Sequence, residues 1–456
     1  MDKNIEKAKE YFLRGLEKYN IEDYSRAEEY FNLSLKISPN RVSILTNLSA
    51  TQIKLKKLDE AKRHLEKILS LEPKNILALM NLANVYSESR QFDKAHHYLD
   101  LAIQNDRDNP ELLCNKGSVF RFEGKLENAL ELYSIAIQKK NNYNFAKFNQ
   151  AICQLSLENL DDGWANYEFR ESKYDEEIPR VKRPPKNTTI DILSEQGIGD
   201  VIMFASLIPL LRDYKNINFY IDERLIESFS ISFPKINFSS HAYMNNHINK
   251  NYQIRIGSLA QFFLREMDDF KKINKPFLKP VDSKIKQTEK YIKKNKINIG
   301  VYWSSASKQL GKVTKIPLID IIKKINVNDK NIISIQDGDH EKELNDVSTK
   351  LQISLTKVKS FNLKNDISHL AALISQCDLI ISISSTVIHL AGAMGVPTIV
   401  LSQYSPDWRY FQSSNKVSWY SNTYLLKQHK LDDWDYPLSL LNDEIDKIIK
   451  IGKSNL

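Results

Sequence analysis

The sequence predicts an α-helical solenoid followed by a pair of α/β lobes with parallel sheets. Three observations predict it. Small residues recur every 34 positions through the first third of the chain. From Ile190 onward, short apolar runs alternate with helical periods. Residues 378–400 then read as a buried strand, a hydroxyl-rich turn, a short helix and a second strand.

Ala27, Ala61, Ala95 and Ala129 stand 34 residues apart, with Gly163 at the next step, and Gly15, Ser49, Ala83, Gly117 and Ala151 keep the same interval. That is the tetratricopeptide period. The small residues fall where two antiparallel helices touch, and Phe31, Leu65, Leu99 and Tyr133 fill the slot four residues further on. Pro39 and Pro73 close the first two units. One helix pair cannot bury its apolar face alone, so about four or five stack over residues 1–175 into a curved solenoid with a concave inner surface. Such a solenoid predicts polypeptide binding or oligomerisation, or it braces a neighbouring domain.

The pattern lapses in the polar, proline-rich stretch 171–189, and residues 176–189 are assigned as a linker. A first lobe follows over 190–285, a second over 290–435, and a C-terminal helix over 436–456. Strands are expected at 190–193, 297–303, 331–336, 379–383 and 398–401. Ile367, Leu370, Ala371 and Ile374 share one helical face, as do Leu438, Leu441, Ile445, Ile448 and Ile449. The lysine-rich, helix-like stretch 282–296 separates the lobes, and two lobes imply a cleft.

At 456 residues the chain is too long for one core. Its formal charge of +8 comes from lysines dispersed throughout, with no basic stripe interleaved with aromatics, which argues against a nucleic-acid groove. Cys114, Cys153 and Cys377 are too few and too scattered for a disulfide framework or a zinc site, so reduced, buried thiols and a cytoplasmic location are expected. Residues 1–10 alternate charges, so no signal peptide is expected. Residues 379–404 lack Asp, Glu, Lys and Arg, but their Ser, Thr, Gly, His and Pro content suits a buried strand-helix-strand unit better than a membrane span. Histidines and carboxylates show no ligand spacing, so no metal site is expected.

Two segments carry the candidate chemistry. Ser384, Ser385 and Thr386 open a helix whose free N–H groups suit an anion such as a nucleotide diphosphate, and Ala391, Gly392 and Ala393 keep that helix slim. Gly395 and Pro397 end it. His389, one turn in, is either a satisfied core residue or a donor to a phosphate oxygen. In the first lobe, Gln196, Gly197, Gly199 and Asp200 sit between a strand and a helical period, with no third glycine for a dinucleotide fingerprint. Asp200 reads first as an N-cap and second as a general base. Trp303, Ser304 and Ser305 follow a strand, and the two serine hydroxyls could line the same anion. Lys312 and Lys315 read first as solvated surface residues, yet either supplies the cation that a departing diphosphate needs. Gln336 could hydrogen-bond a base or ribose, and Arg409 brings a planar cation to the carboxyl edge of the sheet. Trp408 reads as core.

Ser-Glu-Gln-Gly-Ile-Gly-Asp at 194–200, Trp-Ser-Ser at 303–305, Ser-Ile-Gln at 334–336, the run 381–393 and Pro-Asp-Trp-Arg at 406–409 together resemble the bacterial tetratricopeptide-fused glycosyltransferases related to the lipopolysaccharide heptosyltransferases. Residues 163–170 are similar to the stretch that closes the repeats in that family. The resemblance implies a GT-B arrangement: two Rossmann-like lobes, the donor held by the second, the acceptor approaching from the first, and no metal. It implies Asp200 as the base, and Ser384, Ser385, Thr386 and His389 as holders of the donor phosphates. Heptosyltransferases carry an aspartate where this chain has Ser384, so donor identity does not transfer. The first lobe is short for the fold, which leaves room for the solenoid to complete the acceptor side.

The expectation is therefore a metal-independent inverting glycosyltransferase that needs a nucleotide-sugar as cosubstrate, with a polypeptide acceptor held by the concave face of the solenoid. Two alternatives stand beside it: a lipopolysaccharide or other surface-glycan acceptor, and a catalytically degenerate interaction scaffold.

Overall fold

The computed structural model describes residues 3–170, 183–241, 252–307, 312–405, 407–412 and 415–454. Half of the expected linker, residues 176–182, lies outside the described residues, as do Pro406 and the side chain of Lys312. The chain forms two compact units, Met1–Gln150 and Ala151–Leu456.

Helices α1 (Lys3–Asn20), α2 (Tyr24–Ile37), α3 (Val42–Lys54), α4 (Leu58–Leu71), α5 (Ile76–Glu88), α6 (Phe92–Asn105), α7 (Pro110–Glu123) and α8 (Leu126–Lys139) build the first unit as antiparallel pairs. Helix α9 (Asn144–Ser156) crosses into the second, and α10 (Leu160–Tyr167) belongs to it. Ala27, Ala61, Ala95 and Ala129 are fully buried, as are Phe31, Leu65, Leu99 and Tyr133. The two sets compensate in volume. A Cβ on Gly15 would lie 2.5 Å from the Phe31 ring and one on Gly117 would lie 2.9 Å from the Tyr133 ring, whereas Ser49 and Ala83 occur where the slot holds a leucine.

A second period runs through the turns. Glu22, Lys56, Arg90 and Glu158 all have φ between 57° and 65°, and Gly124 occupies the same step at 85°. Each turn between paired helices therefore needs one left-handed residue, which only glycine adopts at little cost.

The second unit holds β1 (Thr189–Leu193), α11 (Ile198–Ala205), β2 (Asn216–Ile221), α12 (Glu223–Ser232), β3 (Asn237–Ser240), β4 (Gln253–Arg255) and α13 (Ala260–Phe263). After α14 (Asp282–Thr288) come β5 (Ile297–Tyr302), β6 (Ser304–Ser307), β7 (Lys312–Lys315), α15 (Leu318–Ile322), β8 (Lys330–Ser334), α16 (Glu341–Leu351) and β9 (Thr356–Lys357). Helix α17 (Ile367–Ile374), β10 (Leu379–Ile383), α18 (Thr386–Met394), β11 (Thr398–Ser402), β12 (Thr423–Lys427), α19 (Asp435–Ser439) and α20 (Leu441–Ser454) complete it.

Two all-parallel sheets result, ordered β3-β2-β1-β4 and β12-β11-β10-β5-β8-β9. Counted from β5, the second is the 3-2-1-4-5-6 order of a Rossmann fold, and the first is its four-strand beginning. The pair of Rossmann-like lobes follows as the GT-B resemblance implies. Strands β8, β10 and β11 are buried along their whole length, which is why they read as unbroken apolar runs.

Several local expectations change. The helical period that runs from Val201 to Leu211 breaks after Ala205 and resumes as a 3-10 turn over Ile208–Leu211, because Pro209 lacks the N–H that an unbroken helix needs. The helix expected over 282–296 is shortened to α14 and a further 3-10 turn. The C-terminal helix is divided at Leu440 into α19 and α20. Gly392 meets the ring of Tyr420, where a Cβ would overlap it, so the slimness of α18 accommodates an aromatic side chain. All three cysteines are free and buried, and burial pushes the Cys114 and Cys377 thiols up to about 12.

The turn period yields a test. Glu22→Gly should stabilise the first unit and Gly124→Ala should destabilise it, each by about 1 kcal/mol. Urea midpoints of the two variants should therefore move in opposite directions from the parent.

Candidate functional site

In each sheet the chain walks outward from its first strand and then jumps back to the other side of it. The reversal leaves a crevice between β1 and β4 in the first lobe and between β5 and β10 in the second. Ligands of such sheets bind beyond the carboxyl ends of the strands at that reversal. The β1–α11 loop carries Gln196, Gly197, Gly199 and Asp200, and the β10–α18 loop carries Ser384, Ser385, Thr386 and His389.

The first loop is tied down residue by residue. Ser194 Oγ lies 2.6 Å from His241 Nε2. Glu195 receives Arg170 through Nε at 3.0 Å and through Nη2. Gln196 stands at a left-handed φ of 61°, and its Oε1 accepts from Tyr167 Oη at 2.9 Å. Strain of this kind persists only where its surroundings enforce it. Gly197 is the N-cap of α11, and Asp200, at N3, accepts the Gly197 N–H at 3.3 Å. The cap reading of Asp200 is thus corrected by three residues: the cap is Gly197, the helix starts at Ile198, and the carboxylate reaches back to the cap.

The second loop opens more freely. Ser385 is the N-cap of α18 but makes no side-chain bond to the helix backbone, since its Oγ pairs with Ser382 Oγ at 3.0 Å. Ser384 Oγ pairs with Tyr410 Oη at 2.8 Å. His389 is buried, with Nδ1 3.0 Å from Tyr420 Oη.

The two loops meet. A Cβ on Gly199 would fall 2.9 Å from His389 Cδ2 and 3.5 Å from Thr386 Oγ1, so the approach of α11 to α18 requires glycine there. Arg409 closes the junction. Its Nε donates to Asp200 Oδ1 at 2.9 Å and Nη2 to the same oxygen, while Nη1 donates to Asp407 Oδ1 at 2.6 Å. The guanidinium lies 4.7 Å from the Trp408 ring centroid. Burial opposes its charge, but Asp200 and Asp407 hold its pKa well above the ordinary value. Burial and then the Arg409 charge push His389 down to about 4, against the smaller pull of Asp200 and Asp407, so the ring is neutral at pH 7.

The other sequence candidates sit elsewhere in the second lobe, after β5 and β8. Trp303 is fully buried in the second lobe's core. Gln336 Oε1 accepts the backbone N–H of Trp303 at 3.0 Å and of Ser304 at 2.9 Å, and its Nε2 donates to the Ser304 carbonyl at 2.7 Å and to Asp337 at 3.0 Å. That amide braces the β5–β6 corner and is not presented to a ligand. Ser304, Ser305, Lys312 and Lys315 all lie on an antiparallel β6–β7 hairpin, which the sequence reading passed over. Lys315 donates to Glu343 at 2.9 Å. A concavity of about 680 Å³ opens beside it, beyond the end of β8, lined by Lys315, Asp339, His340 and the first turns of α16. Neither Asp200 nor Arg409 lines this concavity, and Arg409 fills the immediate surroundings of Asp200.

The residues missed by sequence reasoning are Tyr167, Asp407, Tyr410 and Tyr420. Tyr167 lies in the 163–170 stretch already singled out, and Asp407 in the motif of Arg409. Tyr410 and Tyr420 fall in the connection between β11 and β12, where no period marks them.

The glycosyltransferase family 9 (heptosyltransferase) model matches residues 339–432, and tetratricopeptide repeat models match residues 11–41 and 53–113. Protein FlbA of Caulobacter vibrioides is 23% identical over 317 residues, covering 63% of this chain and 53% of FlbA. The chain therefore spans about half the length of that relative. Among solved structures, the thermophilic TPR protein TTC0263 of Thermus thermophilus is 22% identical, covering 35% of this chain and 88% of its own at a TM-score of 0.33. MamA of Desulfovibrio magneticus RS-1 is 16% identical, covering 36% of this chain and 90% of its own at a TM-score of 0.30. No helix among the described residues is long and apolar enough to cross a membrane. The chain joins tetratricopeptide repeats to a heptosyltransferase-like domain of glycosyltransferase family 9.

Proposed function

We propose that the protein is a metal-independent inverting glycosyltransferase that moves a sugar from a nucleotide-sugar to a polypeptide acceptor. The observation that carries this reading is the meeting of the β1–α11 and β10–α18 loops, one from each lobe, with Asp200 and Arg409 paired between them. In the proposed reaction the donor diphosphate lies at the N-terminus of α18, within reach of Ser385, Thr386 and His389, and recruits the Arg409 guanidinium. Asp200, released from its cation, becomes a competent base and takes the proton from the acceptor hydroxyl as that oxygen attacks the anomeric carbon. The leaving diphosphate keeps the bonding electrons and is stabilised by the helix end, by Arg409 and by a lysine of the β6–β7 hairpin. The polypeptide acceptor is supported by the tetratricopeptide repeats, which expose Leu77 and Phe145 at 56% and 49%, two repeats apart, with the charged Glu111 at the equivalent step between them.

Asp200→Asn should lower transfer by about 10²- to 10⁴-fold without weakening nucleotide binding, since the diphosphate no longer has to displace a carboxylate from Arg409. Full turnover in purified Asp200→Asn would remove the base assignment. Thermal melting against ADP, GDP, UDP, CDP, dTDP and CMP should show stabilisation by at least one of them, approaching about 2.7 kcal/mol at a hundredfold excess over Kd, and Arg409→Gln should abolish that shift. A flat response to all six would favour a catalytically inactive scaffold. Leu77→Asp combined with Phe145→Asp should cut transfer to a polypeptide acceptor at least tenfold and leave nucleotide-induced melting shifts intact. Unchanged modification in that variant would point to a glycan acceptor.

A further inference from the structure

We propose that Tyr420 is a positioning residue that fixes His389 as the Nε2–H tautomer, turning an uncharged N–H toward Gly199 and the N-terminal end of α18. The tautomer follows from the need of the Tyr420 hydroxyl for an acceptor. Its use in holding a diphosphate rests on the function proposed above.

Tyr420 is 2% exposed, and the partner of its hydroxyl among the described residues is His389 Nδ1, at 3.0 Å. A buried hydroxyl proton must be donated somewhere, and this ring nitrogen is the acceptor in reach. Nδ1 then carries the lone pair and Nε2 the hydrogen. On its other side the imidazole faces Gly199, where a built Cβ would lie 3.6 Å from Nε2. No hydrogen bond from Nε2 to protein occurs among the described residues.

The charged and titratable groups facing the ring are Arg409 and Asp407 from the segment after β11, Asp200 from α11, and Tyr420 itself. Arg409 disfavours an imidazolium, and with burial it leaves the ring neutral down to a pKa of about 4. For a neutral ring the tautomer decides the sign of its interaction with an anion. Nε2–H attracts a phosphate oxygen, whereas a bare Nε2 lone pair repels it. Gly392 explains how the tyrosine reaches this position, since a Cβ there would overlap the Tyr420 ring.

The test is ring ¹⁵N NMR on the full-length protein labelled at histidine, with the His389 signals identified as those lost in His389→Gln. The expected pattern at pH 7 is a bare Nδ1 and a protonated Nε2, unchanged at pH 5.5. Tyr420→Phe keeps the ring that packs on Gly392 and should redistribute the tautomers. It should also weaken inorganic pyrophosphate binding roughly tenfold. A protonated Nδ1 in the wild-type spectrum overturns the proposal whatever the variant does, as does an unchanged tautomer in folded Tyr420→Phe. A tautomer change without pyrophosphate binding by either protein supports the positioning role and overturns the diphosphate reading instead.

Discussion

Asp200 and Arg409 bring opposite charges from different lobes into one water-poor place, and much of the second unit is arranged to keep them there. Side-chain exposures of 9% and 13% make this a pair whose desolvation is repaid only by close geometry. Loss of either partner strands the other charge, at a cost of about 3–5 kcal/mol for a buried pair. Asp407 moderates that penalty for the guanidinium, since it accepts from Nη1 and caps the turn that carries Arg409. The lobes are thus joined by an interaction that an incoming anion can compete for. A purely apolar lobe interface could not respond to charge in that way.

The residues behind Asp200 show what holds it. Glu168, Arg170, Glu195, Arg255 and Ser258 form one buried polar cluster in which Arg170 donates to Glu168 at 2.8 Å and to Ser258 at 2.9 Å as well as to Glu195. Burial raises the Glu168 carboxyl, but the Arg170 charge, the hydrogen bonds and Arg255 bring it below the usual carboxylate range. Trp164 and Tyr167 pack edge-on or tilted against Trp408, 5.7 and 5.4 Å between ring centroids, and Trp408 lies under Arg409. Residues 151–170, which close the helical repeats in sequence, are therefore structural members of the α/β unit. They reach both halves of the charge pair: Asp200 through the Glu195–Gly197 loop, and Arg409 through Trp408.

What could be read from the sequence was what has a local period. The 34-residue step, strand β10 and helix α17 were legible because burial repeats along the chain at spacings that the eye can match to a helix or strand. The left-handed turn at Glu22, Lys56, Arg90 and Glu158 has a period too, but charged side chains of both signs conceal it, and Gly124 alone betrays the backbone. Strand order, the Asp200–Arg409 pair across 209 positions and the His389–Tyr420 bond are set by packing between distant segments, which leaves no spacing to detect. Gln336 was singled out for the right reason, a polar residue ending a strand at the carboxyl edge, yet the two backbone N–H groups of the β5–β6 corner claim its oxygen.

Charge balance narrows what else the site requires. Arg409 is opposed by Asp200 and Asp407, His389 is neutral, and the helix ends of α11 and α18 contribute roughly half a positive charge each. The junction is close to neutral before any ligand arrives, and an aspartate at 384 would make it negative. Ser384, hydrogen-bonded to Tyr410, avoids that. A bound diphosphate would bring about two further negative charges, more than release of Asp200 from Arg409 can offset. The balance must come from a cation able to approach from outside the buried pair. The β6–β7 hairpin is placed for that, because it leaves the end of β5, the strand that borders β10 at the reversal of the second sheet. Lys315 there is held by Glu343 in an exposed ion pair, worth at most about 1 kcal/mol, which a phosphate can outcompete. On the proposed reading, the hairpin supplies that outer cation to a bound diphosphate, while the buried pair behind it governs the release of Asp200.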